Sequence, residues 1–199
     1  MLLAPDKSSI YPGELPRGTT YPNPAPADRF IAALRARGVR VVDVRAALRD
    51  AAARGEVYSK GDTHWNDAGA YIAYRATIAA LGVRDTIPPS SIASSIEDGE
   101  GDLLRLAGIA QTAHNPVVTY AYPHHDPDPS LPAAVLFGDS FSVGITPFLA
   151  QDFRRLDVVR FADASGPQFD RALVERLRPA VVIQEIVERS LVVAGEFKP

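Results

Sequence analysis

The sequence predicts an α/β fold in three layers, with helices on both sides of a mainly parallel central sheet. Two observations predict it. Apolar or β-branched runs at residues 39–44, 133–137, 156–161 and 180–187 alternate with segments of helical spacing, and strands that alternate with helices connect by crossovers into a parallel sheet. The run at 39–44 is also nearly continuous in β-branched character, as suits a strand covered on both faces of a parallel sheet.

Taken in order, residues 1–4 read as the end of a short apolar strand, so the chain starts almost inside the sheet, as expected of a domain missing its N-terminal part. From there to Pro26 the sequence is rich in proline and glycine and predicts an irregular surface excursion. Pro26-Ala27-Asp28 opens a helix with Phe30, Ile31 and Leu34 on one face and Gly38 as its stop. Val39, Val41, Val42 and Val44 predict a strand buried on both faces, and residues 46–54 a helix closed by Gly55. Asn66 or Asp67 caps the next helix, where Tyr71, Tyr74, Ile78 and Leu81 recur at helical spacing up to Gly82.

Residues 83–132 carry the weakest patterning. Pro88-Pro89 marks a loop, residues 101–106 a short helix, residues 117–122 a short strand, and the proline-rich residues 123–132 a linker. The strand at 133–137 then runs straight into Gly138-Asp139-Ser140. A helix follows over 143–153, compatible with Pro147 only near its start or at a kink. A strand at 156–161, a helix at 169–177 and a last strand at 180–187 complete one domain over residues 1–199, without internal repeats.

Composition narrows the function. With 199 residues, 46% hydrophobic and 23% charged, the chain can bury a core and is not of disordered type. The net charge of −3 and dispersed lysines and arginines give no nucleic-acid or membrane-binding face. Without cysteine there is no thiol nucleophile, thiolate metal site or disulfide. No apolar run is long enough to span a bilayer, and Met1-Leu2-Leu3-Ala4 is too short for a signal peptide.

Two stretches carry chemistry. Gly61-Asp62-Thr63-His64-Trp65-Asn66 sets a carboxylate and an imidazole two residues apart, just ahead of a helix. Gly138-Asp139-Ser140 sets a serine at a sharp strand-to-helix turn, where ligands bind in open parallel sheets. A serine becomes a nucleophile when a base takes its proton and a third group fixes the tautomer of that base. Asp62, His64 and Ser140 supply those three groups, and a helix starting after Ser140 would aim N–H groups at a developing oxyanion. Each stretch taken singly also reads as turn and cap chemistry. Trp65 reads as either a core residue or a wall of the site. His124-His125-Asp126-Pro127-Asp128 suggests a metal site only superficially, because adjacent side chains diverge, and reads as a polar loop. A phosphatase reading of Gly-Asp-Ser lacks its second aspartate, since Phe141 stands two residues after Asp139.

Together these stretches resemble the SGNH-hydrolase-like domain of the alginate O-acetyltransferase proteins of bacterial exopolysaccharide assembly. The resemblance also draws on Pro5-Asp6-Lys7-Ser8-Ser9-Ile10-Tyr11-Pro12, Gly101-Asp102-Leu103 and Glu185-Ile186-Val187-Glu188-Arg189, in the family's order and over almost the whole chain. It implies a triad of Ser140 as nucleophile, His64 as base and Asp62 as orienter, with Asp-x-His ahead of the serine, the reverse of ordinary SGNH esterases. It further implies an extracytoplasmic, periplasmic setting, a polysaccharide acceptor, an acetyl donor such as a membrane-bound acyltransferase partner, and no cofactor or metal. Lys7, Tyr11, Trp65 and Arg189 are the candidate substrate-binding residues. The family's usual N-terminal opening and appended carbohydrate-binding domain are missing from this sequence. The same triad also suits a carbohydrate or small-ester acetylesterase, and the fold alone suits a non-catalytic polysaccharide-binding or assembly protein.

Overall fold

The computed structural model of the chain describes residues 1–19, 25–161 and 168–193. Seven strands are described: β1 (Leu2–Ala4), β2 (Val42–Asp43), β3 (Ala93–Asp98), β4 (Pro116–Ala121), β5 (Ala133–Gly138), β6 (Arg155–Arg160) and β7 (Val181–Val187). The helices are α1 (Lys7–Ile10), α2 (Pro26–Ala36), α3 (Arg45–Ala52), α4 (Asp67–Leu81), α5 (Asp102–Leu106), α6 (Ser142–Leu149), α7 (Arg171–Leu177) and α8 (Ser190–Val193). Five strands form a fully parallel sheet in the order β2-β1-β7-β5-β6.

The period-2 alternation of strand side chains divides the core in two. Leu2, Ala4, Ala134, Leu136, Ile183 and Val187 face one layer, packed with Leu48, Tyr74, Ile78, Phe141 and Phe148 from α3, α4, α6 and the loop before α6. Leu3, Val135, Phe137 and Ile186 face the other, against Ala27 and Ile31 of α2 and Leu173, Val174 and Leu177 of α7. That is the expected three-layer arrangement. All six residues of β5 are buried, because β7 and β6 flank it and helices cover both its faces.

Four expectations need correction. The valine run at 39–44 forms only the two-residue edge strand β2, and Val39 is 37% exposed. Its neighbour β1 is three residues long and offers partners only to Val42 and Asp43, so the ladder stops and Val44 enters α3. Helix α6 ends at Leu149 rather than continuing to Phe153, and Pro147 lies in its last turn rather than near its start. The stretch expected to be irregular up to Pro26 contains α1 and a 3₁₀ turn at Pro12–Glu14, and its residues 20–24 lie outside the described residues. Finally, β3 pairs antiparallel with β4 in a separate ribbon where no strand was expected before residue 117. All of β3 is exposed, Ile96 by 72%, so no apolar alternation marks it. Its partner strand defines it.

Helix α4 braces the ribbon and the sheet together. Asn66 caps it by accepting from the Gly69 N–H at 3.1 Å. Asp67 accepts from the Tyr120 N–H of β4 at 2.9 Å, and Tyr71 meets Tyr120 edge-on at 5.8 Å. Further along α4, the buried Tyr74 hydroxyl donates to Asp152, whose other oxygen accepts from the Thr86 N–H at 2.8 Å. Removing the carboxylate leaves the Thr86 N–H without its acceptor, at about 1–3 kcal/mol, while the Tyr74 hydroxyl keeps Asp85 Oδ1 at 3.1 Å. Asp152→Ala is therefore expected to lower the unfolding free energy by about 1–3 kcal/mol, read as a lower urea midpoint with an unchanged slope.

Candidate active site

Loops from the carboxyl ends of β1, β5 and β7 converge at one edge of the sheet and bring together Lys7, Ser140 and Arg189. The turn after β5 is fixed from beneath. Asp139 is buried, and its carboxylate accepts from the Phe141 N–H at 2.9 Å and from the Val187 N–H of β7 at 2.7 Å. Its own N–H donates to the buried Glu185 at 3.1 Å. Gly138 is needed for this closeness: a Cβ there would stand 2.5 Å from the Ser142 Cβ and 2.9 Å from Glu185 Oε2. Ser140 is thus presented on a turn tied to two strands.

The base side is built on a single carboxylate. Asp62 Oδ1 accepts from both the N–H of His64 at 2.8 Å and its Nδ1 at 2.7 Å, while Oδ2 accepts from the Asp102 N–H at 3.1 Å. The other ring nitrogen, Nε2, lies 2.8 Å from Ser140 Oγ. With the Nδ1 proton on Asp62, Nε2 is the acceptor and the serine hydroxyl the donor. The three residues found in two separate stretches of sequence therefore stand in one hydrogen-bonded line.

Asp102 is the participant that sequence reasoning named only as part of a motif. It accepts from the Thr63 N–H at 2.7 Å and from the Thr63 hydroxyl, and its Oδ2 lies 3.7 Å from His64 Nδ1. The ribbon delivers it through Asn115. The Asn115 amide donates to the carbonyls of Gly99 and Glu100 at 3.2 Å each, and its oxygen accepts from the Gly61 N–H at 3.0 Å. Where the two loops touch, only glycine fits: a Cβ on Gly101 would lie 2.0 Å from the Gly61 carbonyl oxygen.

Electrostatics follow from this geometry. The hydrogen bond that the His64 ring donates to Asp62 raises the His64 pKa above its ordinary value against the opposing effect of burial, and the charges of Asp62 and Asp102 add to it. Burial would raise the Asp62 carboxyl, but its hydrogen bonds from His64 and Asp102 outweigh that and hold it at about 2. Asp62, His64 and Asp102 also place metal-type ligand atoms within 4.8 Å of one another. A cation on Nδ1 would have to displace the Asp62 hydrogen bond, so these residues serve a proton path better than a metal.

Three of the four other candidates line a cavity of about 970 Å³ beside the line: Lys7, Tyr11 and Arg189, together with Thr63 and Asp102. Ser140 and His64 are not among its lining residues, so it runs alongside them. Lys7 donates to the carbonyls of Ser59, Lys60 and Asp62 at 2.7, 3.0 and 3.1 Å, bracing the loop that carries Asp62, and burial lowers its pKa. The Tyr11 hydroxyl accepts from the Val57 N–H at 3.0 Å. Arg189 donates to Asp6 at 2.9 Å and lies over the Phe141 ring, its Cζ 5.2 Å from the centroid. Trp65, by contrast, is 6% exposed and packs edge-on against Phe141 at 5.1 Å, within the core rather than on the cavity wall. Phe141, whose ring also lies 4.8 Å from that of His64, is the apolar floor that its sequence position did not reveal. Of the N–H groups after Ser140, those of Phe141, Ser142 and Val143 donate within the turn, to Asp139 and to the Ser140 carbonyl. Outside this region, His124 stands against Tyr122 at 4.9 Å on a polar loop.

A parallel three-layer sheet with an aspartate, a histidine and a serine in line at its carboxyl edge is the architecture of SGNH-hydrolase-like domains. A family model described as "SGNH hydrolase-like domain, acetyltransferase AlgX" matches residues 1–186, and the chain belongs to that family. No curated protein matches the sequence. Among solved structures, the O-acetyltransferase domain of Pseudomonas putida AlgJ is similar over all of this chain and 79% of its own, at 24% identity and a TM-score of 0.66. A DHHW family protein from Eubacterium siraeum matches 96% of this chain and 78% of its own, at 16% identity and a TM-score of 0.72. Bacillus cereus PatB1 carrying a sulfonyl adduct matches 96% of this chain and 80% of its own, at 15% identity and a TM-score of 0.66. At these identities the structures bear on the fold.

Asp62→Asn removes the charge that favours protonated His64. The imidazole of the variant, followed by NMR, is expected to titrate at lower pH than that of the parent chain; an unchanged midpoint would contradict the assignment of Asp62 as the cause.

Proposed function

We propose that the domain is a serine-dependent O-acetyltransferase that moves acetyl groups onto the hydroxyls of an exopolysaccharide through an acetyl-serine intermediate. One observation carries the reading: the unbroken line from Asp62 Oδ1 through His64 Nδ1 and Nε2 to Ser140 Oγ, with both links at 2.7–2.8 Å. Family membership supports the acyl-transfer class.

In the first half-reaction Ser140 Oγ bonds to the acetyl carbonyl carbon while its proton passes to His64 Nε2. Asp62 stabilises the imidazolium that results. As the tetrahedral intermediate collapses, the bond to the donor oxygen breaks and His64 returns the proton to that oxygen, leaving acetyl-Ser140. A sugar hydroxyl then attacks the acetyl carbon with His64 again as base, forming the new ester and restoring Ser140. Water in the place of the sugar would make the same site an esterase. The acetyl donor, on this reading, is presented by a membrane-bound acyltransferase partner in an extracytoplasmic compartment. Among the described residues no helix is long and apolar enough to cross a membrane. The family resemblance favours an alginate-like polymer, a point on which the lining of the cavity bears below.

The test is turnover of a chromogenic acetyl ester with and without sugar oligomers, by the parent chain and by Ser140→Ala. Cleavage is expected to vanish in the variant, and sugar to speed turnover while becoming acetylated. Because His64 must be neutral to act as base, the rate is expected to rise with pH through a midpoint above 6.5. Serine-dependent cleavage that sugar leaves unchanged would favour the esterase, and no cleavage by the folded chain would favour a binding or assembly role.

A further inference from the structure

We infer that the cavity beside Ser140 takes an uncharged glycan, rather than a polyuronate, as the acetyl acceptor. The inference deepens the acyl-transfer reading and rests on it. It is carried by how the charges lining the cavity are already paired.

Among the described residues three cations line the cavity, and each has a partner within the protein. An ammonium has three protons, and Lys7 directs its own to three backbone carbonyls, one of them that of Asp62. Turning toward a sugar carboxylate would release the loop that holds the base. Arg189 is held by Asp6 on one side and by the Phe141 ring on the other. Lys60 pairs with Glu56 at 3.3 Å. Against these three stand four carboxylates, since Glu14 at the exposed rim and Asp102 join Asp6 and Glu56. A polyuronate brings one further negative charge per sugar into a wall that already carries an excess of that sign. Like charges brought together in a partly desolvated cleft repel strongly.

An uncharged sugar meets no such penalty. Its hydroxyls can donate to the lining carboxylates, and its apolar ring faces can lie on Tyr11, Leu15 and Leu103. The Tyr11 ring is held for this: its hydroxyl is bound by the Val57 N–H, and it stands edge-on to the buried Tyr58 at 6.2 Å and 89°. Thr63 lies both in the cavity wall and between Asp62 and His64 in sequence, so a sugar seated there adjoins the base that must take its proton. A volume of about 970 Å³ accommodates more than one sugar ring.

The experiment compares cello-oligosaccharides with oligomannuronates of equal length, as acceptors from a chromogenic acetyl ester at low ionic strength. In parallel, calorimetry measures binding of both sets to Ser140→Ala, which reads the cavity without the chemistry. The uncharged oligomers are expected to accept acetyl at least about 10-fold faster and to bind more tightly, with the difference narrowing as salt screens the repulsion. Glu14→Lys is expected to raise binding of the mannuronates several-fold. Equal or better binding and acetylation of the mannuronates would overturn the inference, and so would failure of the uncharged oligomers to bind. If the uncharged oligomers bind preferentially but Ser140 is never acetylated, the acyl-transfer reading fails and the acceptor role falls with it, while the preference of the cavity stands.

Discussion

The carboxylate of Asp62 is the point on which the site depends. Its two oxygens take three donors, from the His64 backbone, the His64 ring and the Asp102 backbone. The first closes a tight turn that aims the imidazole, the second selects its tautomer, and the third joins the turn to a loop 40 residues away in sequence. A carboxylate with several donors is held firmly in its charged state, which is why this one titrates at about 2 despite being half-buried. The same charge favours the protonated form of His64 although the ring lies against the apolar ring of Phe141.

The remaining architecture serves to keep Ser140 Oγ within reach of that ring. Parallel strands bring the chain back to the same edge each time, so residues near positions 7, 140 and 189 become neighbours without contacts along the sequence. The serine turn is tied to β7 through Asp139 and Glu185, and the base turn to α1 through Lys7. The β3–β4 ribbon contributes nothing to the central sheet. Its part is to carry Asn115 and Asp102 to the loop holding the base, by way of a glycine contact so close that no side chain fits between.

Much of this was legible in the residues. The apolar runs at 133–137 and 180–187 are interior strands and that at 156–161 is the edge strand β6. That Asp62, His64 and Ser140 stand together was legible because few residue types make a carboxylate–imidazole–hydroxyl line. What escaped was decided by pairing. Strand β3 has no apolar face to announce it, and the valines at 39–44 read as an interior strand though their only neighbour is too short to pair with more than two of them. Lys7 and Arg189, expected as candidate substrate-binding residues, line the cavity. That their charges are engaged by carbonyls and by Asp6 follows from three-dimensional contacts that spacing does not encode.

The most direct test of the central claim is the covalent state of Ser140 during turnover. The chain would be mixed with an acetyl ester, quenched in acid within the first turnover, and digested for mass spectrometry. The account predicts one acetyl group on the peptide containing Ser140, present in the parent chain and lost in His64→Ala. Ester cleavage with Ser140 never acetylated, or acetylation undiminished without His64, would contradict it.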